Sequence, residues 1–247
     1  MVGRQSLELR LTAPAAGDRL PIVILSHGYG PSFYVAAWDG DAHMAQFWAE
    51  RGFAAIQPTN ASSRVGGHRG DAEGAPFFWR EHVAEIRTII DRLSEIEKHA
   101  PAVSGRLDHN EIAVVGHSLG GHTVSLLLGA QLHGETFKDS RIKAGMLLIA
   151  PGRAGKDLTK ENAERFPFFE VDFPHMVTPT LVVCGAEDDL RFTSLGPECH
   201  ADAYHDGLGA HSLLTIHGVD HGLGGIAGLD AKEPKSRHPI HSRQPSA

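Results

Sequence analysis

The chain predicts an α/β domain, a mostly parallel sheet covered by helices, and three observations predict it. Short unbroken apolar runs alternate with segments of helical period; glycine or proline bounds most of them; and one apolar run passes directly into Gly116-His117-Ser118-Leu119-Gly120. Alternation of this kind is the pattern of parallel strands joined by crossover helices, with a sheet buried on both faces.

Taken in order, Leu7-Glu8-Leu9-Arg10-Leu11 alternates and fits an antiparallel edge strand. Pro21-Ile22-Val23-Ile24-Leu25-Ser26 is continuous and apolar, as a doubly covered strand requires. Residues 41–51 place Met44, Phe47 and Trp48 at helical spacing, with Gly52 as the stop. Phe53-Ala54-Ala55-Ile56-Gln57 is the next strand, ended by Pro58. The stretch from Thr59 to Pro76 is rich in Gly, Ser and Ala and carries Arg64, His68 and Arg69, which predicts a surface loop. From Phe77 to Lys98 the residues Val83, Ile86, Ile89, Ile90, Leu93 and Ile96 recur every three or four positions and predict one long amphipathic helix. Ile112-Ala113-Val114-Val115 then forms the strand that enters the Ser118 segment, with a helix expected to run on to Leu132. Further strands are expected at 144–150, 180–184 and 211–216. Residues 1–229 read as a single domain. The tail, 230–247, sets Pro234, Pro239 and Pro245 among charged and polar residues without a period, and predicts disorder.

Composition narrows the function. A chain of 247 residues, 41% hydrophobic, can bury the core of one such domain. With a net charge of -7 and no run of Lys or Arg to follow a phosphate backbone, nucleic acid is not an expected partner. Two cysteines, Cys184 and Cys199, make neither a disulfide framework nor a zinc-site spacing, and are expected as reduced thiols. Met1 to Arg10 lacks the apolar core of a signal peptide, and no apolar stretch approaches the ~20 residues of a membrane span. A soluble cytoplasmic protein is the resulting expectation. The Asn60-Ala61-Ser62 sequon carries no weight without a secretory signal. The 17 histidines are scattered from His27 to His241 and form no recognisable ligand pair, so neither a metal nor another cofactor is expected.

What remains is chemistry centred on Ser118. Glycines at both flanks suit a tight strand-to-helix turn that presents a side chain in a strained conformation, and the following helix aims its N-terminal N–H groups at the same point. A serine hydroxyl is a poor nucleophile until a base takes its proton and a third group orients that base. The order nucleophile, acid, base is available here. Gly185-Ala186-Glu187-Asp188-Asp189 places three carboxylates after a strand, with Asp188 preferred over Asp189 and Glu187. Gly218-Val219-Asp220-His221-Gly222 bears the expected base, His221, on a loop after the last strand, with His217 as its rival.

On Ser26-His27-Gly28-Tyr29-Gly30, Gly116-His117-Ser118-Leu119-Gly120-Gly121, Gly185-Ala186-Glu187-Asp188 and Asp220-His221-Gly222, the chain resembles the α/β-hydrolase superfamily. Among its members, the dienelactone-hydrolase, chlorophyllase and acetylhydrolase-like serine esterases are the most similar, over roughly residues 21 to 228. The resemblance implies the α/β-hydrolase fold with a small or absent lid, a catalytic set Ser118, Asp188 and His221, and an oxyanion hole made by the backbone N–H groups of Tyr29 and Leu119. His27 is then structural. The implied reaction is hydrolysis of a small or medium ester, thioester or lactone through an acyl-enzyme, without cofactor. Phe33, Tyr34 and Trp38 are candidates for an apolar acyl site, and Arg64, His68 and Arg69 for contact with an anionic substrate group. Members of the superfamily usually end in a helix packed on the sheet after the histidine; the tail here does not read as one. Either that helix is missing or altered, or a second subunit covers the surface and the protein is a homo-oligomer. Two rival readings are a non-catalytic binding protein of the same fold and a nucleotide-binding oxidoreductase. The latter lacks a Gly-x-Gly-x-x-Gly element.

Overall fold

The computed structural model describes residues 7–29, 42–63, 65, 73–153, 158–188, 196–223 and 225. Phe33, Tyr34, Trp38, Arg64, His68, Arg69, Asp189 and the tail 230–247, with the question of a terminal helix, lie outside the described residues.

The chain runs β1 (Leu9–Thr12), β2 (Leu20–Ser26), α1 (Ala42–Ala49), β3 (Ala54–Pro58), α2 (Trp79–Asp91), α3 (Leu93–His99) and β4 (Leu107–His117). It continues through α4 (Leu119–Leu128), β5 (Gln131–Leu132), β6 (Glu135–Thr136), β7 (Ile142–Leu148), α5 (Lys160–Arg165) and β8 (Val171–Asp172). The last elements are β9 (Thr180–Gly185), α6 (Asp202–Asp206) and β10 (Ser212–Ile216). Among the described residues, seven strands form the central sheet in the order β1-β3-β2-β4-β7-β9-β10. Only β1 is antiparallel, placing Leu9 opposite Pro58; the other pairings are parallel, which their crossover connections require. This is the mostly parallel sheet covered by helices that the alternation of apolar runs leads one to expect.

Side-chain alternation along β2 explains why its sequence is apolar throughout. Ile22 and Ile24 join Ile56, Ile86, Ile89, Leu126 and Leu127 in the larger core, under α2 and α4. Val23 and Leu25 face the other way, toward Ala45 and Trp48 of α1. Each such side chain, fully buried, contributes about 1.5–3 kcal/mol by leaving water.

Three expectations change. The predicted long helix is two, broken at Arg92, whose backbone leaves the helical region (φ -110°, ψ 16°) and whose guanidinium forks onto Glu95 at 2.7 and 2.8 Å. The apolar spacing passes through the break unaltered, so periodicity could not reveal it. The helix after Ser118 stops at Leu128 because Gly129 turns with φ 121°, and the next residues pair instead in a small second sheet, β6-β5-β8. The expected surface loop after β3 begins buried. Thr59 to Ser63 are covered: Glu85 accepts from Asn60 Nδ2 (3.0 Å) and the Ala61 N–H (3.2 Å), and His82 lies 2.8 Å from Ser62 Oγ. Asn60 is therefore closed to a glycosylating enzyme in the folded chain.

Candidate active site

The site is assembled at the carboxyl ends of β2, β4, β9 and β10, where open parallel sheets form their clefts. Ser118 stands between β4 and α4 with φ 51° and ψ -117°, a left-handed conformation that costs a non-glycine residue about 1–3 kcal/mol. Its surroundings over-determine that strain. The Ser118 N–H donates to the Leu148 carbonyl at 3.0 Å, and the His122 N–H to the Ser118 carbonyl at 3.0 Å. The two flanking glycines are required by space: a Cβ on Gly116 would overlap the Gly120 backbone, and one on Gly120 would overlap the Ser26 carbonyl.

His221 lies on the loop after β10 and Asp188 on the loop after β9. The two loops are stitched together, since the Ala186 N–H donates to Ile216 O (2.9 Å) and the Glu187 N–H to Val219 O (3.1 Å). The side chains meet in line. His221 Nδ1 is 2.8 Å from Asp188 Oδ2, and His221 Nε2 is 2.9 Å from Ser118 Oγ. A carboxylate can only accept, so Nδ1 carries the proton and Nε2 is left to accept from the serine hydroxyl. Burial alone would raise the Asp188 carboxyl, which is 1% exposed, but the adjoining His200 and His221 rings outweigh it and hold the acid well below the usual carboxylate range. Glu187, by contrast, is exposed, and so is the rival base, His217.

The expected donors Tyr29 and Leu119 directly follow Gly28 and Ser118 in the chain. Leu119 opens α4, where N–H groups have no partner within the helix. The Gly28 segment abuts the serine so closely that a Cβ there would lie 3.3 Å from Ser118 Cβ. His27 holds this segment: it accepts from the Asn60 N–H at Nε2 (2.9 Å) and donates from Nδ1 to Gly28 O (2.6 Å). One acceptor and one donor require the neutral ring, and burial accordingly lowers His27 to about 4. The Tyr29 ring leans on Phe77, 5.0 Å between centroids, and Phe77 on Phe166 and Phe168 of the segment between β7 and β9. His122 ties α4 to that segment by donating from Nε2 to Phe168 O at 2.8 Å.

Two contributors had no role assigned from sequence. His117, inside the glycine-flanked segment, donates from Nε2 to the His221 carbonyl at 2.8 Å; burial, then the neighbouring His221 charge, lowers it to about 4. Its place beside Ser118 was the available signal. His200, from the turn Gly196–Ala201, reaches Asp188 as well, and nothing local in the sequence marks it. Cys184 closes β9 beneath the acid; burial first, then nearby negative charge from Cys199, Asp188 and Asp202, pushes its thiol up to about 12. Both thiols are buried and unbridged. Among the described residues no group of acidic, histidine or cysteine side chains is arranged to hold a metal, and no helix is long and apolar enough to cross a membrane.

Comparison with known proteins agrees with this architecture. Est1E from Butyrivibrio proteoclasticus, solved with ferulic acid bound, is similar over 87% of this chain and 87% of its own, with 18% identity and a TM-score of 0.59. Thermogutta terrifontis esterase 2 phosphonylated by sarin matches over 91% of this chain and 83% of its own, with 17% identity and a TM-score of 0.60. The same esterase phosphorylated by paraoxon matches 91% and 82%, with 18% identity and a TM-score of 0.58. Among curated proteins nothing matches significantly. The alpha/beta hydrolase family model matches residues 22–193, a span that takes in the His27 segment, Ser118 and Asp188. The chain belongs to the alpha/beta hydrolase family.

Proposed function

We propose that the protein is a serine hydrolase that cleaves a carboxylic ester, thioester or lactone of small or medium size through an acyl-enzyme. The observation that carries this reading is the relay from Ser118 Oγ through His221 to Asp188, at 2.9 and 2.8 Å. His221 takes the serine proton as Oγ attacks the carbonyl, and Asp188 holds the ring in the tautomer that can do so. The Tyr29 and Leu119 N–H groups receive the developing oxyanion, each worth a few kcal/mol in the transition state. His221 then protonates the departing group, and water releases the acyl group by the same route in reverse.

Family membership and the fold shared with two esterases support ester hydrolysis as the reaction class. A closer kinship with dienelactone-hydrolase-like esterases rests on the sequence motifs alone. The Tyr29 ring, which follows Gly28 beside Ser118, packs on the aromatic cluster of Phe77, Phe166 and Phe168, and an apolar wall of this kind favours an uncharged, partly apolar substrate. Turnover of p-nitrophenyl esters of increasing acyl length tests the proposal, with Ser118→Ala and His221→Ala as controls. Wild type should exceed Ser118→Ala by about 10⁴-fold or more in kcat. Equal, slow hydrolysis by both would remove Ser118 from the mechanism, and failure of paraoxon or a fluorophosphonate to label Ser118 would point to a binding protein instead.

A further inference from the structure

We propose that His200 is a positioning residue of this site: an imidazolium that clamps Asp188 from a second direction and eases loss of the proton from His221. The proposal rests on the triad reading above.

His200 is 2% exposed and has an acceptor at each ring nitrogen. Nδ1 is 2.7 Å from the Ala150 carbonyl oxygen, and Nε2 is 2.8 Å from Asp188 Oδ2, the same oxygen that His221 approaches. Neither a carbonyl nor a carboxylate can donate. A neutral imidazole has one N–H and would set a bare lone pair close to one of them, whereas the imidazolium has no such lone pair. The approach of Nε2 to Oδ2 lies off the line of an ideal hydrogen bond, so charge attraction carries the contact. A buried carboxylate needs such a counter-charge, because its hydration is lost.

Among the described residues, the other groups around the cluster do not supply that charge. His117, whose ring is 5.1 Å from that of His221, is kept neutral by burial. The Cys184 thiol is neutral, and Cys199 is buried beside it. Asp202 accepts from the Arg153 N–H at 2.8 Å, and the Arg153 guanidinium is engaged with Asp206 at 2.5 Å. Asp220 accepts from the Gly222 N–H, and Glu187 is exposed. His200 also ties the acid loop to the nucleophile: Ala150, its carbonyl partner, is pressed against Gly121 of α4, where a Cβ would meet Ala150 Cβ at 2.6 Å.

The consequence is electrostatic. When His221 takes the Ser118 proton, two cations with ring centroids 6.4 Å apart share one carboxylate. His200 therefore opposes protonation of His221 and extends the neutral, proton-accepting form to lower pH. Replacing it by a neutral amide in His200→Gln should move the acid limb of the kcat/KM profile upward by about one pH unit. The plateau kcat should fall about tenfold as Asp188 loosens, with KM within twofold. A folded His200→Gln whose acid limb overlays the wild type would reduce His200 to packing and overturn the proposal. Nitrogen NMR of histidine-labelled wild type gives a readout independent of turnover and of the variant's folding. His200 should be protonated at both ring nitrogens at pH 7, where His27, His117 and His122 are neutral; a neutral His200 would also overturn it. Wild-type turnover that survives Ser118→Ala would sink the triad reading, whereas Ser118-dependent turnover with an unshifted acid limb sinks only the role of His200.

Discussion

Ser118 and His221 touch, yet they hang from very different parts of the sheet. Ser118 leaves β4, which is bonded to β2 on one side and β7 on the other, and enters α4, every residue of which is buried. His221 follows β10, the terminal strand of the sheet, with Ser212 to Thr215 exposed and Leu214 left 49% open. Strain at Ser118 is held by close packing around glycine. His221 is held instead by individual cross-links: its ring to Asp188, its carbonyl to His117, and the loop-to-loop bonds at Ala186 and Glu187. Steric over-determination and discrete hydrogen bonds thus meet at one proton, and they should fail in different ways.

The sharpest break falls on the packed side. Gly120→Ala drives a methyl group into the Ser26 carbonyl, where only backbone movement can relieve it. Loss of folded protein, or a fall of several kcal/mol in a urea titration, is expected. Acid should come next. Burial lowers His27, His117 and His122 from 6.5 to about 4, and it lowers His82 as well. The unfolded chain binds these protons below pH 6.5 and the folded chain does not until about pH 4. Their stabilisation is therefore complete above pH 6.5 and declines as pH falls toward 4, by about 1.4 kcal/mol per pH unit for each ring. Denaturant unfolding at pH 7 and pH 5 measures this, and an unchanged midpoint would contradict the buried neutral rings. A smaller change separates the two modes of support. His117→Phe keeps the ring shape but removes the N–H that holds the His221 carbonyl, at a cost of about 1–2 kcal/mol. We expect roughly a tenfold loss in kcat with the melting temperature within a few degrees of wild type. Least of all, Leu214→Lys on β10 should alter stability by no more than about 0.5 kcal/mol. A larger loss would mean that this strand is covered in solution.

The same contrast separates what could be read in sequence from what could not. Ile22 to Ser26 and Ile112 to Val115 announce buried parallel strands because both faces need apolar side chains. The spacing of Gly116, Ser118 and Gly120 announces the turn because only glycine fits beside it. His221 could be preferred to His217 because it lies on the loop rather than at the strand end, and the acid loop at the correct sheet edge was legible too, although Glu187, Asp188 and Asp189 all share it. Those are local requirements and leave local marks. The break at Arg92 leaves none, since its side chain is as good a helix former as its neighbours and the apolar period continues through it. The two-residue strands of the small sheet are too short for a period. The burial of Thr59 to Ser63 depends on Glu85 and His82 of α2, 20 to 25 residues further along the chain, and polar residues otherwise read as surface. His200 has meaning only once Ala150 and Asp188 are brought to either side of its ring.

The two thiols lend the acid side of the site a natural gauge. Cys184 sits where β9 gives way to the Asp188 loop, and Cys199 immediately precedes His200; both are shut away, and Cys184 is held in the unreactive protonated form. Alkylation of either can proceed only as fast as the chain opens there. Slow modification by iodoacetamide would thus time the breathing of the acid loop without any introduced label, and serine-directed phosphonates would leave both thiols unmarked while it does so.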